Sequence, residues 1–413
     1  MLGFERGAAT WTQRLSGSFR YRGYRQLFAG SMLAQTVFRM NDVILGWQML
    51  QLTNSAFWVG LVAFASGIPL LIFSPFTGML ADQRERHHIV AIGLAGSAVA
   101  MLWLAWLSAA GRVQPLHIVL TAFLIGSGFT FYSPARLAML PNLVPGAMLR
   151  SASTLEYSST RLVGFFGPVL AGFLVERAGI PIGLLSGVVL ILFSAAVFMR
   201  IDGGRPARDG APAKHAVLIP LREALSYMRT DRPLWSLILL GLVMVPIGMV
   251  HQKMLPVFAQ DVLGAGASTL GLMIGLFGLG AALAGIVLAC IGPLRQGRVL
   301  LGAALSIGLG VIVFAFTRNT SLALTLAFLL GVIDGVFLTL SNVIFQTRAP
   351  DSMRGRVLGA WGVVWGILPF TALLAGLLTD KIGVVYVIAG SGALCLLFTI
   401  GMTIASPHLR ELG

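Results

Sequence analysis

Runs of about twenty apolar residues, the length that crosses a hydrocarbon core of about 30 Å, recur along the whole chain. They fall at 27–50, 56–80, 89–110, 115–134, 152–175, 181–199, 234–252, 269–292, 299–317, 320–345, 357–379 and 384–405. Such a series has no place in a water-soluble fold. Of 413 residues, 57% are hydrophobic and only 11% charged, with a mean hydropathy of +0.87, which is more apolar surface than a soluble domain of this size buries. In lipid every backbone polar group must be satisfied within the segment, so the runs are expected to be helices. The predicted class is an all-α membrane protein of twelve spanning helices.

The formal net charge of +14 points to nucleic acid only if the cations share one surface, and they do not. With a cytoplasmic N-terminus, the inside tails, the loops and the stretch 200–233 hold 22 of the 29 Lys and Arg. The outside loops hold five: Arg112, Arg177, Lys253, Arg318 and Lys381. This asymmetry predicts that both termini are cytoplasmic, and it accounts for the basic charge with the bilayer as partner and no nucleic acid. Met1 to Arg25 is polar and basic, so the first apolar run is expected to stay as an anchor. Cys290 and Cys395 lie in apolar runs without the spacing of a metal site or a disulfide framework. No metal and no cofactor is expected.

The one long polar stretch, 200–233, starts with Asp202-Gly203-Gly204-Arg205-Pro206 and carries an amphipathic piece near Leu221 to Met228. It reads as a linker between a first half, 1–199, and a second, 234–413. An internal repeat supports this cut. Ala171-Gly172-Phe173-Leu174-Val175-Glu176-Arg177-Ala178-Gly179 is echoed 204 residues on by Ala375-Gly376-Leu377-Leu378-Thr379-Asp380-Lys381-Ile382-Gly383. The fifth and eleventh segments therefore correspond in the same orientation. Parallel six-helix repeats place a site between the halves, near the membrane midplane.

The loop after the second segment, Gly78-Met79-Leu80-Ala81-Asp82-Gln83-Arg84-Glu85-Arg86, resembles the Gly-x-Leu-Ala-Asp-Arg-x-Gly-Arg signature of the major facilitator superfamily, with Gln83 and Glu85 in place of an Arg and a Gly. Gly164-Phe165-Phe166-Gly167-Pro168-Val169-Leu170-Ala171-Gly172 on the fifth segment resembles the antiporter pattern of that superfamily. Three further stretches are similar to its bacterial enterobactin-exporter and macrolide-efflux branch: Phe19 to Phe28, Ser133 to Pro145 and Asp351 to Val357. The resemblance covers nearly the whole chain. It implies the twelve-helix fold in two parallel six-helix repeats, and an export function. It also implies a conformational latch in which Asp82, with Gly78 and Arg86, faces the start of the eleventh helix at Arg354 and Arg356. In the antiporter pattern Gly164, Gly167 and Gly172 allow close helix contact and Pro168 bends the helix.

Ionisable groups inside a membrane are costly and mark function. The segments hold few: Arg39 and Asp42 on the first, Glu156 and Arg161 on the fifth, Asp334 on the tenth. The third, sixth, ninth and twelfth hold none, as expected of helices that face lipid. Ser31, Gln35, Arg39, Asp42 and Gly46 recur at steps of three or four and so share one face, expected to look into a cavity. Arg39 and Asp42 can pair as i, i+3 neighbours, either as a static structural pair or in substrate binding or coupling. Arg161 and Glu156 point in different directions and each is expected to find a partner on another helix. Phe38 with Trp47, and Trp361 with Trp365, either wall the cavity or pack in the core. His251 and Lys253 are read as interfacial.

Asp334 lies about 20 Å from the outer end of its segment at 1.5 Å per residue, near midplane, with no basic residue within one helical turn. It is the first candidate for a proton carrier, with Asp42 and then Glu156 behind it. Ser341 and Asn342, two turns on, extend a polar stripe. The alternative for Asp334 is a static pair with Arg39 or Arg161.

These features predict a proton-coupled secondary exporter, acting as a monomer in a bacterial inner membrane, for a small apolar or amphiphilic molecule such as a drug, siderophore or other secondary metabolite. A lipid or lysolipid flippase or a solute importer would use the same features. No Gly-x-x-x-x-Gly-Lys-Ser/Thr loop is present to bind ATP. An enzyme would need His, Cys or carboxylate groups converging at one depth, which the sparse set above does not supply.

Overall fold

The computed structural model describes residues 17–83, 85–201, 218–290 and 295–410. The first six helices are α1 (Arg22–Thr53), α2 (Ala56–Gln83), α3 (Arg86–Ala109), α4 (Pro115–Leu143), α5 (Gly146–Ala178) and α6 (Ile180–Met199). A helix at Leu218–Thr230 precedes α7 (Arg232–Met244), which leads to α8 (Ala267–Cys290), α9 (Gln296–Ala315), α10 (Thr320–Arg348), α11 (Asp351–Ile382) and α12 (Val384–Ala405). At 32 residues, α1 and α11 are each about 48 Å long. They outreach the hydrocarbon core and end in polar surroundings.

Caps and glycines set the joints. Asp231 Oδ1 accepts from the Leu234 amide (3.2 Å) at the start of α7, and Asn319 Oδ1 from the Leu322 amide (3.1 Å) at the start of α10. Gly179 and Gly383, the last residues of the two repeat copies, have φ of 85° and 89°. That backbone region suits glycine, and it lets α5 run into α6, and α11 into α12, without an intervening loop.

Among the described residues ten helices are long and apolar enough to cross a membrane; twelve were expected. The first segment falls outside that set because Arg39, Asp42 and several amides lower its hydropathy, although its length suffices. The seventh falls outside because it is broken. α7 stops at Met244, and the chain continues through a turn, Val250–Lys253, Leu255–Val257 and a π-turn at Phe258–Val262. Pro246 and Pro256 each lack the amide that a continuous ladder needs. Side chains take up the freed carbonyls: Thr371 Oγ1 on α11 donates to Pro246 O (2.9 Å), and His251 Nδ1 donates to Gly248 O (2.7 Å). The fourth segment was expected to end at Pro134, but α4 carries both Pro134 and Pro141 and runs to Leu143.

Within the first six helices α1 packs on α5 and α6, and α3 on α4 and α6; within the last six α9 packs on α10 and α12. Two long seams join the sets, α5 along α8 and α2 along α11. Backbones nearly touch there: a methyl on Gly278 would sit 2.7 Å from the Gly164 carbonyl, and one on Gly60 would sit 2.6 Å from the Ala372 carbonyl. No hydrophobic effect draws helices together in lipid, so close van der Waals packing holds such seams. The apolar residues facing outward include Ile92, Val99 and Trp106 on α3, Val189 on α6, Leu309 on α9, and Leu397 and Ile404 on α12. These four helices carry no ionisable residue in their apolar runs.

Candidate functional site

A cavity of about 350 Å³ lies between the two sets of helices. Its wall comes from α1, α2, α4, the broken seventh segment and α8, and no lining residue comes from α3, α6, α9 or α12. From α1 it takes Gln35, Phe38, Arg39, Asp42 and Gly46. The period of the sequence placed all of these but Phe38 on one face. Ser31 departs from that face, because it is buried and accepts from Arg136 Nη1 on α4 (3.3 Å).

Arg39 Nη1 lies 3.4 Å from Asp42 Oδ2, and the two side chains are 49% and 43% exposed. The pair is long, single and open to the cavity rather than locked in the core. Phe38 meets Phe129 edge to face at 4.9 Å and Tyr132 at 5.6 Å, giving one side an aromatic wall. Phe277 of α8 contributes on the other. Lys253, read from the sequence as an outer interfacial residue, lines the cavity because the broken segment turns it inward. His251 beside it is buried near Phe277 and Phe314.

The remaining sequence candidates lie elsewhere. Trp361 is buried, filling the space beside Gly241 of α7 and lying 5.1 Å from Phe345; Trp365 is half-buried against the core. Neither walls the cavity. Asn342 donates to Leu338 O of its own helix (2.8 Å). Asp334 is buried on α10, outside the cavity lining, and the charge of Arg161 from α5 acts on it. Glu156 is buried in an ion pair with Arg136 of α4, which also reaches Ser31. Sequence reasoning missed Arg136: taking Pro134 as the end of the helix left it in a loop. The same pattern contained the signal, an Arg within one turn of an apolar run and a Glu on the next one.

At the end of the bundle that carries the chain termini, Arg354 pairs with Asp351 (2.7 Å) and donates to Gln346 O (2.9 Å), and Arg356 pairs with Glu223 of the helix before α7 (2.5 Å). Arg86 is buried and donates to Ala138 O on α4 (2.5 Å). The side chains of Gly78 and Asp82 lie outside the described residues, so the contact expected between Asp82 and the start of α11 is not described. Glu85 lies 3.3 Å from His87 Nε2 and 3.4 Å from His88 Nδ1, a local hydrogen-bonded cluster remote from the cavity. In the fifth-helix motif, a methyl on Gly167 would press on Arg39 and Thr36 of α1, Gly164 and Gly172 face α8, and Pro168 lies against Gly271 of α8.

At the opposite, far end the two sets are tied together. Asp380 of α11 accepts from Ser55 Oγ (2.6 Å), the Ala56 amide (2.7 Å) and the Phe57 amide (3.1 Å), at the N-terminus of α2. Glu176 of α5 accepts from the Ser268 amide (2.7 Å) at the N-terminus of α8. Gln260 joins Gln51 (2.9 Å) and Asn54 (3.2 Å). Among the described residues, every hydrogen bond between the two sets lies at this end. Glu176 and Asp380 hold the same place in the two repeat copies, and each carboxylate meets free amides and the positive end of a helix dipole across the seam.

Residues 27–372 match the family model of the Major Facilitator Superfamily. The chain belongs to the major facilitator superfamily. It is thus a multi-pass membrane transporter and not an enzyme. Among its relatives in this superfamily, the multidrug efflux pump Tap of Mycolicibacterium fortuitum is 26% identical over 377 residues, covering 89% of this chain and 91% of that protein. The enterobactin exporter EntS of Salmonella choleraesuis is 23% identical, covering 89% and 88%. A crystal structure of a POT family transporter in complex with 5-aminolevulinic acid has the same fold, with a TM-score of 0.76 at 12% identity over 94% of this chain and 97% of that one.

Proposed function

We propose that this superfamily member is a proton-coupled secondary exporter of a small amphiphilic molecule, working as a monomer in a bacterial inner membrane. Its halves, 1–199 and 234–413, rock about the cavity, and 200–233 links them. The observation that carries this reading is the polar, charged cavity between the two sets of helices, with hydrogen bonds that tie the sets together at its far end. A site reached from one side at a time needs such a wall and such a seal. The loop charges support cytoplasmic termini; with that orientation the far end is periplasmic and the form with that end tied shut is inward-facing. The efflux functions of Tap and the enterobactin exporter agree with the outward direction. Asp334 is the proposed proton carrier, since it is buried on α10 and the charge of Arg161 on α5 acts on it across the two sets of helices.

Counterflow in proteoliposomes with a panel of labelled drugs, siderophores and lysolipids, with and without a proton gradient, tests the reading. At least one compound is expected to exchange faster than in protein-free vesicles and to accumulate only with the gradient. Accumulation of lysolipid alone would transfer the protein to the flippases, and no exchange of any compound would overturn the reading.

A further inference from the structure

The charges in the cavity do not balance. Three ionisable side chains line it: Arg39 and Asp42 on α1, and Lys253 on the broken seventh segment. Asp42 offers one oxygen to one guanidinium nitrogen at 3.4 Å, which leaves most of the Arg39 fork unused. Among the described residues no carboxylate lies within ion-pair distance of Lys253. Next to it the Gln252 side-chain amide, a lining residue, has a buried Nε2 without a hydrogen-bond partner. An unpaired cation and an unpaired donor are expensive in a lipid-embedded wall, and here they belong to adjacent residues of it. The rest of the wall is mostly apolar, with Phe38, Phe129 and Phe277 beside the polar Gln35, Asn41 and Ser66.

We infer that the cargo of this cavity is an organic anion with a flat aromatic body, its carboxylate held by Lys253 and the free side of Arg39, its ring against the phenylalanines. This rests on the proposed transport function and narrows it. The geometry gives the anion a further consequence. Arg39 belongs to the first set of helices and Lys253 to the second, so one carboxylate bridges the two halves, whereas a cation would meet only Asp42, already engaged by Arg39. A cavity of about 350 Å³ holds a two-ring molecule with its first waters.

The test uses the full chain in lipid nanodiscs and three probes of one shape: 2-naphthoate, 2-naphthamide and 2-naphthylmethylammonium, titrated calorimetrically against empty nanodiscs. Naphthoate is expected to bind at least about tenfold more tightly than the amide, and the ammonium least tightly. Lys253→Gln is expected to bring the naphthoate-to-amide ratio close to one without changing the amide. Lys253→Arg, which keeps the charge and guards against a folding defect in the first variant, is expected to retain the ratio. Equal or tighter binding of the amide or the ammonium, an unchanged ratio in Lys253→Gln, or no naphthoate binding at about 1 mM overturns the inference. Counterflow separates the two failures: compounds that still exchange in proteoliposomes leave the transport function standing while the anion preference falls.

Discussion

Replacing Asp380 by Asn perturbs the far-end seal most directly. The carboxylate accepts three hydrogen bonds, two from the first amides of α2 and one from Ser55. Asn keeps one acceptor oxygen and loses the charge. Carboxylate caps at helix N-termini stabilise by about 0.5–2 kcal/mol, and the dipole contribution adds about 0.3–1 kcal/mol. Asp380 is exposed, so water screens the lock and the low end applies, about 1 kcal/mol. These bonds exist only while the far end is closed, so their loss shifts the balance roughly fivefold toward the outward-open form. The equivalent change, Glu176→Gln, removes a single amide bond and is expected to shift it less. The two locks share no partner, so their effects should add, giving roughly tenfold or more together. Spin labels at positions 112 and 318, in the loops after α3 and α9, read the separation of the far ends by pulsed electron resonance. The long-distance population should rise in Asp380→Asn and further in the double variant. Identical distance distributions in parent and double variant would refute the lock.

Other changes act on separate parts of the molecule. Asp334→Asn, fixed in a neutral form, is expected to abolish accumulation against a gradient while leaving gradient-free exchange near the parental rate; uphill transport at the parental rate in proteoliposomes would pass the carrier role to Asp42. Asp82→Asn should favour the inward-open form, the opposite sign to Asp380→Asn, read as faster maleimide labelling of a cavity cysteine at position 66; equal labelling rates would remove the latch. Glu156→Gln leaves Arg136 buried without its counter-charge, at a cost of about 3–5 kcal/mol, so the unfolding temperature in detergent should fall, and adding Arg136→Gln should recover part of the loss. Cysteines at 113, 178 and 319 should react with an impermeant reagent from outside, and one at 210 should not; labelling at 210 would invert the proposed topology.

Much of the fold was legible because lipid enforces simple rules. Apolar runs of about twenty residues located most of the helices, and α3, α6, α9 and α12, expected to face lipid, contribute nothing to the cavity wall. The period of three and four on α1 put Gln35, Arg39, Asp42 and Gly46 on one face, and all four line the cavity. Misreadings arose where a local rule was overridden by neighbouring helices. Proline as a helix end failed at Pro134, since α4 continues past it and buries Arg136 against Glu156. The seventh segment reads as one apolar run, yet its prolines break it and turn Lys253 inward. Trp361 and Trp365 had the spacing of an aromatic wall, but spacing fixes a face and not which neighbour covers it; Gly241 made room for Trp361 in the core. Glu176 and Asp380 stood out in the sequence only as matching positions of the repeat, and they acquire partners only when the start of α8 or α2 arrives from the other set.

The broken seventh segment links the cavity to the seal. Gln252 and Lys253 stand in the cavity wall, and Gln260, seven residues later, holds Gln51 and Asn54 at the far end. In a straight helix seven residues make about two turns, some 10 Å along the axis, with both side chains on one face and rigidly coupled to α7. Here two prolines and a π-turn intervene, and the carbonyls they free are held by Thr371 of α11 and by His251. The segment can therefore shift relative to α7 without leaving backbone groups unsatisfied in lipid. A cargo that draws Lys253 toward Arg39 pulls on the same short stretch of chain that supplies the Gln260 contacts. The pull costs those contacts little, because they are exposed amide bonds, while the Asp380 and Glu176 locks are anchored on α11 and α5 and are not touched by it. Cargo can thus loosen the middle of the seal and leave its two flanks in place. Full opening then requires the carboxylate locks to yield as well, so cargo in the cavity would favour opening without being sufficient for it.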